Sequence, residues 1–147
     1  GLIGVLGPEG RALDHTSAEG YAAARWLRRD GDAAEQREAA ARAGVAREAP
    51  WAEAELGAGW RLIRLEGRAS AAAVAARCGA RVVLIAPDLR FAAPPGPCIA
   101  LDAGALAGLG ALALEPGAAG PELRSAADSA GDRLWTRPGG GAAELAR

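Results

Sequence analysis

The chain contains no lysine, no asparagine and no methionine, and it has one histidine, one phenylalanine and one tyrosine. Each absence removes chemistry. Without lysine there is neither a Schiff-base amine nor a phosphate-loop lysine. Zinc sites of the usual kinds need several His or Cys ligands at short spacing, and His15, Cys78 and Cys98 are too few and too scattered. A Ser-His-Asp or Cys-His centre would have to use His15, yet no serine sits in a G-x-S-x-G elbow and nothing local positions either cysteine against it. His15, following a strand, therefore reads as a surface or capping residue. No metal site and no cofactor are expected. The formal charge of −1 and a pI near 5.9 give no overall electrostatic reason to bind nucleic acid or an anionic membrane.

What is present is a chain of 147 residues, half of them apolar, which is enough for one domain with a real core. With Ala and Gly so abundant, most core positions gain little apiece. Trp26, Trp51, Trp60 and Trp135 should each count for more, at roughly 25 cal/mol per Å² of apolar surface buried. The longest uncharged apolar stretch, Ala103 to Leu114, falls well short of the roughly 20 residues a membrane-spanning helix needs. Gly1 is not an initiator and no signal peptide follows it, so the chain reads as an excised, soluble piece.

The clearest packing unit is Trp60 to Asp88. Ser70 opens a helix with Ala71, Val74, Ala75 and Cys78 on one face, and Gly79 stops it. Val82 to Ala86 is a continuous apolar run, the pattern of a strand buried on both faces of a parallel sheet. Trp60 to Leu65 carries Arg61 and Arg64 on opposite faces, which places that strand nearer an edge. Leu2 to Leu6 and Arg11 to Leu13 flank Gly7-Pro8-Glu9-Gly10 and predict a hairpin.

Tyr21 to Arg29 predicts an amphipathic helix. Ala22, Ala23, Trp26 and Leu27 lie on one face, with Arg25, Arg28 and Arg29 together on the other. That basic face is either a solvated surface or a contact for a DNA backbone, and Asp30 and Asp32 directly after it weigh against contact. Asp32-Ala-Ala-Glu35 predicts a cap for a helix running to about Ala43. The segment Val45 to Gly59, with Pro50, Gly57 and Gly59, reads as a connecting loop.

Beyond the central unit, Arg90 to Pro97 is a proline-rich connection and Cys98 to Leu101 a short strand. Asp102 caps a brief helix to about Ala107, and Gly108 to Gly110 breaks it. Ala111 to Leu114 is a strand, Glu115-Pro116-Gly117 turns the chain, and Glu122 to Ser125 pairs beyond the turn. The end, TRPGGGAAELAR, is low in complexity and reads as a frayed tail. Oxidation of Cys78 and Cys98 would close a loop worth roughly 3 kcal/mol in the chain-entropy account. Spacing alone leaves that disulfide and a pair of buried thiols equally open.

In order along the chain, GVLGPEGRAL, YAAARWLRRDGD, the helix ending in Cys78, ARVVLIAPD, Cys98, GALAL and GDRLW together resemble the C-terminal soluble region of the ComEC family, most closely its alphaproteobacterial members. These are inner-membrane competence proteins that form the channel for uptake of single-stranded DNA in transformation. The resemblance implies a degenerate metallo-β-lactamase-like α/β domain over residues 1–135, with a mixed sheet, an N-terminal hairpin and a central strand-helix-strand unit, followed by the tail 136–147. It implies a place on the periplasmic face of the inner membrane, with the rest of the channel and single-stranded DNA as partners. It also favours a Cys78–Cys98 disulfide.

The family's metal pattern, H-x-H-x-D-H, is absent where it would follow the first helix, since RDGDAAEQREAAARAG stands there. The implied role is thus non-catalytic, with Arg25, Arg28 and Arg29 as the DNA-contact set. Two alternatives remain: a metal-dependent hydrolase using ligands from elsewhere in the parent chain or carboxylates such as Asp88 and Asp102, and a purely structural cap.

Overall fold

The computed structural model describes residues 1–115, 117 and 119–130. It is a mixed α/β fold built on one five-stranded mixed sheet. The N-terminal hairpin forms as the sequence predicts, β1 (Gly4–Gly7) pairing antiparallel with β2 (Gly10–Leu13) so that Gly7 faces Gly10 across Pro8-Glu9. Glycine is required at position 10, where φ is +96° and a Cβ would lie 2.7 Å from Asp32 Oδ2 and 2.8 Å from Arg42 Nη1. Helix α1 (Gly20–Arg29) follows, with Ala23 and Leu27 buried.

Helix α2 spans Gln36–Ala41. Its N-cap is Glu35, which exchanges hydrogen bonds with Glu38 in a capping box, three residues later than the cap at Asp32 that the sequence predicts. Asp32 is drawn away by Arg42 and by the Ala34 N–H, and the helix ends at Ala41 because Arg42 leaves it in an extended conformation.

Where a connecting loop is predicted, the chain forms two strands, β3 (Ala46–Glu48) and β4 (Trp51–Gly57). Pro50, Gly57 and Gly59 punctuate these strands rather than interrupting them. Ala49-Pro50 lies in the turn between β3 and β4. Ala58-Gly59 makes a two-residue turn into β5 (Trp60–Leu65), with φ of 51° and 75° at its central residues.

Helix α3 (Ala71–Arg77) then crosses to β6 (Val82–Ala86), and the Ser70 side chain caps it by accepting from the Ala73 N–H at 3.2 Å. Strand β7 (Ile99–Asp102) completes the sheet in the order β3-β4-β5-β6-β7, with β6 parallel to both neighbours as predicted. The edge placement of Trp60 to Leu65 is overturned: β5 is the middle strand. Its Arg64 is not turned to solvent but buried against a carboxylate from the hairpin, whereas Arg61 pairs with Glu53 at 3.6 Å.

Helix α4 (Ala103–Leu109) starts on Asp102, whose side chain accepts from the Ala105 N–H, and continues through Gly108 to end at Gly110. Strands β8 (Leu112–Glu115) and β9 (Glu122–Ser125) form a separate antiparallel pair, and α5 (Ala126–Ala130) closes the described chain. Pro116 of the predicted turn, Trp135 and the tail from Thr136 lie outside the described residues.

Strand periodicity divides the core. Ile63, Leu65, Val82, Leu84 and Ala86 pack with Val74 and Cys78 of the α3 side. Leu62, Val83 and Leu101 face the opposite way, toward Ile3 and Ala12 of the hairpin region and the apolar residues of α4, β8 and β9. The hairpin has its own second face, where Leu13 packs with Ala23, Leu27, Ala39 and Ala40 of α1 and α2. It is thus sandwiched between the sheet and the two N-terminal helices.

Candidate functional site

Two polar constellations result. The first is the outer face of α1. Arg25, Arg28 and Arg29 are all exposed, on the side opposite Ala23 and Leu27. Tyr21 precedes Arg25 by one helical turn, is 76% exposed, and its hydroxyl accepts from Arg25 Nη1 at 3.4 Å. Among the described residues none of the three arginines has an ion-pair partner.

The two aspartates that weigh against a contact role are already engaged. Arg11 binds Asp30 through both Nε and Nη2, at 2.6 and 3.0 Å, and its guanidinium lies 5.6 Å from the Trp26 ring centroid. Arg42 binds Asp32 through Nη1 and Nη2 and also donates to the Arg11 carbonyl at 3.0 Å. The Arg42 hydrogen bond, aided by the Ala34 N–H, lowers the Asp32 carboxyl to about 2. Both carboxylates therefore brace the α1–α2 connection instead of neutralising the basic face.

The second constellation is a cleft at the end of the hairpin. Asp14, directly after β2, accepts from the Ile3 N–H at 2.8 Å and from Arg64 Nη1. Arg64 Nη1 also lies 2.7 Å from His15 Nε2, which places His15 in a half-buried cluster rather than on the surface. Glu66 Oε1 approaches His15 Nε2 at 3.5 Å and Arg64 Nη2 at 3.9 Å. Arg47 holds the hairpin end by donating from Nε to the Asp14 carbonyl at 2.9 Å and from Nη2 to the carbonyls of Leu13 and Ala40. Sequence reasoning missed this cluster, although an arginine inside the apolar strand W-R-L-I-R-L was a signal that a buried partner existed.

Cys78 and Cys98 are joined, with Cα atoms 4.9 Å apart, so the proline-rich segment is tied to the end of α3. Gly96 passes so close to Cys78 that a Cβ there would collide with the Cys78 carbonyl oxygen. Asp88 accepts from the Gly67 N–H at 3.0 Å, and Asp102 accepts from Phe91 and Ala105 N–H groups, both at 2.9 Å. Those backbone donors, Ala105 first, hold the Asp102 carboxyl below its ordinary range. Both carboxylates tie loops to strand ends.

Among the described residues the donor set does not fit a metal. Both thiols are oxidised, the imidazole faces a guanidinium, and among the described residues no three His, Cys, Asp or Glu side chains converge to hold an ion. No helix among the described residues is long and apolar enough to cross a membrane. The chain matches no family model, no curated protein and no solved structure.

Proposed function

We propose that this chain is a non-catalytic domain that contacts single-stranded DNA, a degenerate metallo-β-lactamase-like piece of a ComEC-like uptake channel on the periplasmic face of the inner membrane. The observation that carries the contact role is the unneutralised α1 face: Arg25, Arg28 and Arg29 stand exposed while Asp30 and Asp32 are bound by Arg11 and Arg42. Single strands are held by cationic side chains along the phosphates together with aromatic rings on which bases stack, and Tyr21 beside Arg25 supplies the ring. Base identity goes unread by such a surface, as a channel that takes up any sequence requires.

The channel assignment itself rests on the resemblance in the order of segments from GVLGPEGRAL to GDRLW, and the paired cysteines suit an oxidising compartment. Binding of a labelled oligonucleotide by the purified chain tests the contact role. Tyr21→Ala should weaken it by about 1 kcal/mol if a base stacks there. An unchanged affinity in that variant removes the stacking role.

A further inference from the structure

We infer that His15 is a proton-operated switch at the junction of the N-terminal hairpin and the sheet: neutral, it accepts from Arg64, and protonated, it releases Arg64 and donates to Glu66. The inference does not depend on α1 or on DNA. A guanidinium carries N–H donors and no acceptor. Arg64 Nη1 lies 2.7 Å from His15 Nε2, so Nε2 is the bare nitrogen and the ring proton sits on Nδ1. A proton taken up from solvent at Nε2 sets one N–H against another and a second positive charge beside the guanidinium. The contact then has two donors and no acceptor, and it must open.

The receiving group is already in place. Glu66 Oε1 stands 3.5 Å from the same Nε2, on a side chain 60% exposed that closes the gap by rotating. Its backbone is fixed, since the Glu66 N–H donates to the Pro50 carbonyl at 2.8 Å. Asp14 Oδ2 is 3.7 Å from Nε2 but is held by Arg64, and Oδ1 accepts from the Ile3 N–H, so Asp14 keeps its partners through the exchange. Charge favours the same outcome. The charged groups at the ring are Asp14 after β2, Arg64 of β5 and Glu66 directly after it, while Arg47 of β3 is turned onto the carbonyls of Leu13, Asp14 and Ala40. Two carboxylates against one guanidinium leave a negative charge that a protonated ring balances. Asp14 is fully buried and Arg64 6% exposed, so solvent screens this balance weakly.

The test is an NMR titration of the intact chain, with the ring nitrogens of its single histidine and the Arg64 side-chain N–H groups followed over about pH 8 to 5, the range in which imidazoles ordinarily change charge. At the alkaline end Nδ1 should carry the proton and Nε2 none. As the ring takes up its second proton, the Arg64 signals should move with the same midpoint, while the Ile3 amide stays protected from exchange. Glu66→Gln removes the receiving charge at an exposed position, leaves the fold in place and should lower the His15 midpoint by roughly half a pH unit. The proposal is overturned if the neutral ring carries its proton on Nε2, or if the Arg64 signals do not follow the His15 midpoint. It is equally overturned if Glu66→Gln leaves that midpoint unchanged or raises it, or if amide signals throughout the chain collapse at the midpoint, which would make the transition acid unfolding and not an exchange of partners.

Discussion

At the scale of single residues, the buried pair Asp14–Arg64 is the most consequential polar contact, because it fastens the N-terminal hairpin to the middle of the sheet across 50 residues of sequence. Its net worth is small, since burying two charges costs about what their attraction returns, but breaking it leaves one charge stranded. Asp14→Ala should therefore destabilise the fold by about 3–5 kcal/mol in urea unfolding, while Asp14→Leu combined with Arg64→Met should cost far less than that single change. Asp32 behaves differently because its pair lies near the surface. Its carboxyl titrates at about 2 in the folded chain, against 3.8 for an ordinary aspartate. The folded state thus holds this proton less tightly than the unfolded state, so the Asp32 contribution is complete above pH 3.8 and is lost as pH falls to about 2. Melting temperature measured over that window should fall more steeply for wild type than for Asp32→Asn. Parallel curves would contradict the pairing with Arg42.

Among the elements, the Cys78–Cys98 link acts on a segment that has no regular structure of its own. Residues 90–97 form neither helix nor strand, and the bond closes a separation of 20 residues between the end of α3 and the start of β7. Chain-entropy reasoning gives about 3 kcal/mol for that closure, so reduction should lower unfolding stability by about that amount and raise protease cleavage within 90–97. Unchanged stability under reductant would show that packing alone holds the segment. Elements whose signal is local were legible in the sequence: the Gly7–Gly10 hairpin, α1, and the Ser70-capped helix leading into Val82 to Ala86. Strands β3 and β4 were not, because Pro50, Gly57 and Gly59 read as loop residues whereas they mark the strand ends. The alternation of Ala52, Ala54 and Leu56 with Glu53 and Glu55 was the overlooked cue. The Arg64 cleft was illegible for a different reason: its parts come from Asp14, His15, Arg64 and Glu66, and only packing of the hairpin against the five-stranded sheet brings them together.

For the whole molecule, a net charge of −1 conceals an uneven distribution. Arg11, Arg42 and Arg64 are spent on Asp30, Asp32 and Asp14, while Arg25, Arg28 and Arg29 face outward from α1. Their replacement by alanine should leave the fold intact, because alanine is the best helix former and all three side chains are exposed. Function and stability can therefore be separated at this surface. The most direct test is binding of a single-stranded oligonucleotide across a salt series, comparing wild type with the variant Arg25→Ala/Arg28→Ala/Arg29→Ala. Three phosphate contacts predict that log K falls with log salt at a slope of about −2, and that the triple variant loses most of both affinity and slope while melting at the wild-type temperature. Affinity and salt dependence that survive in the triple variant, or no binding by wild type even at low salt, would contradict the account.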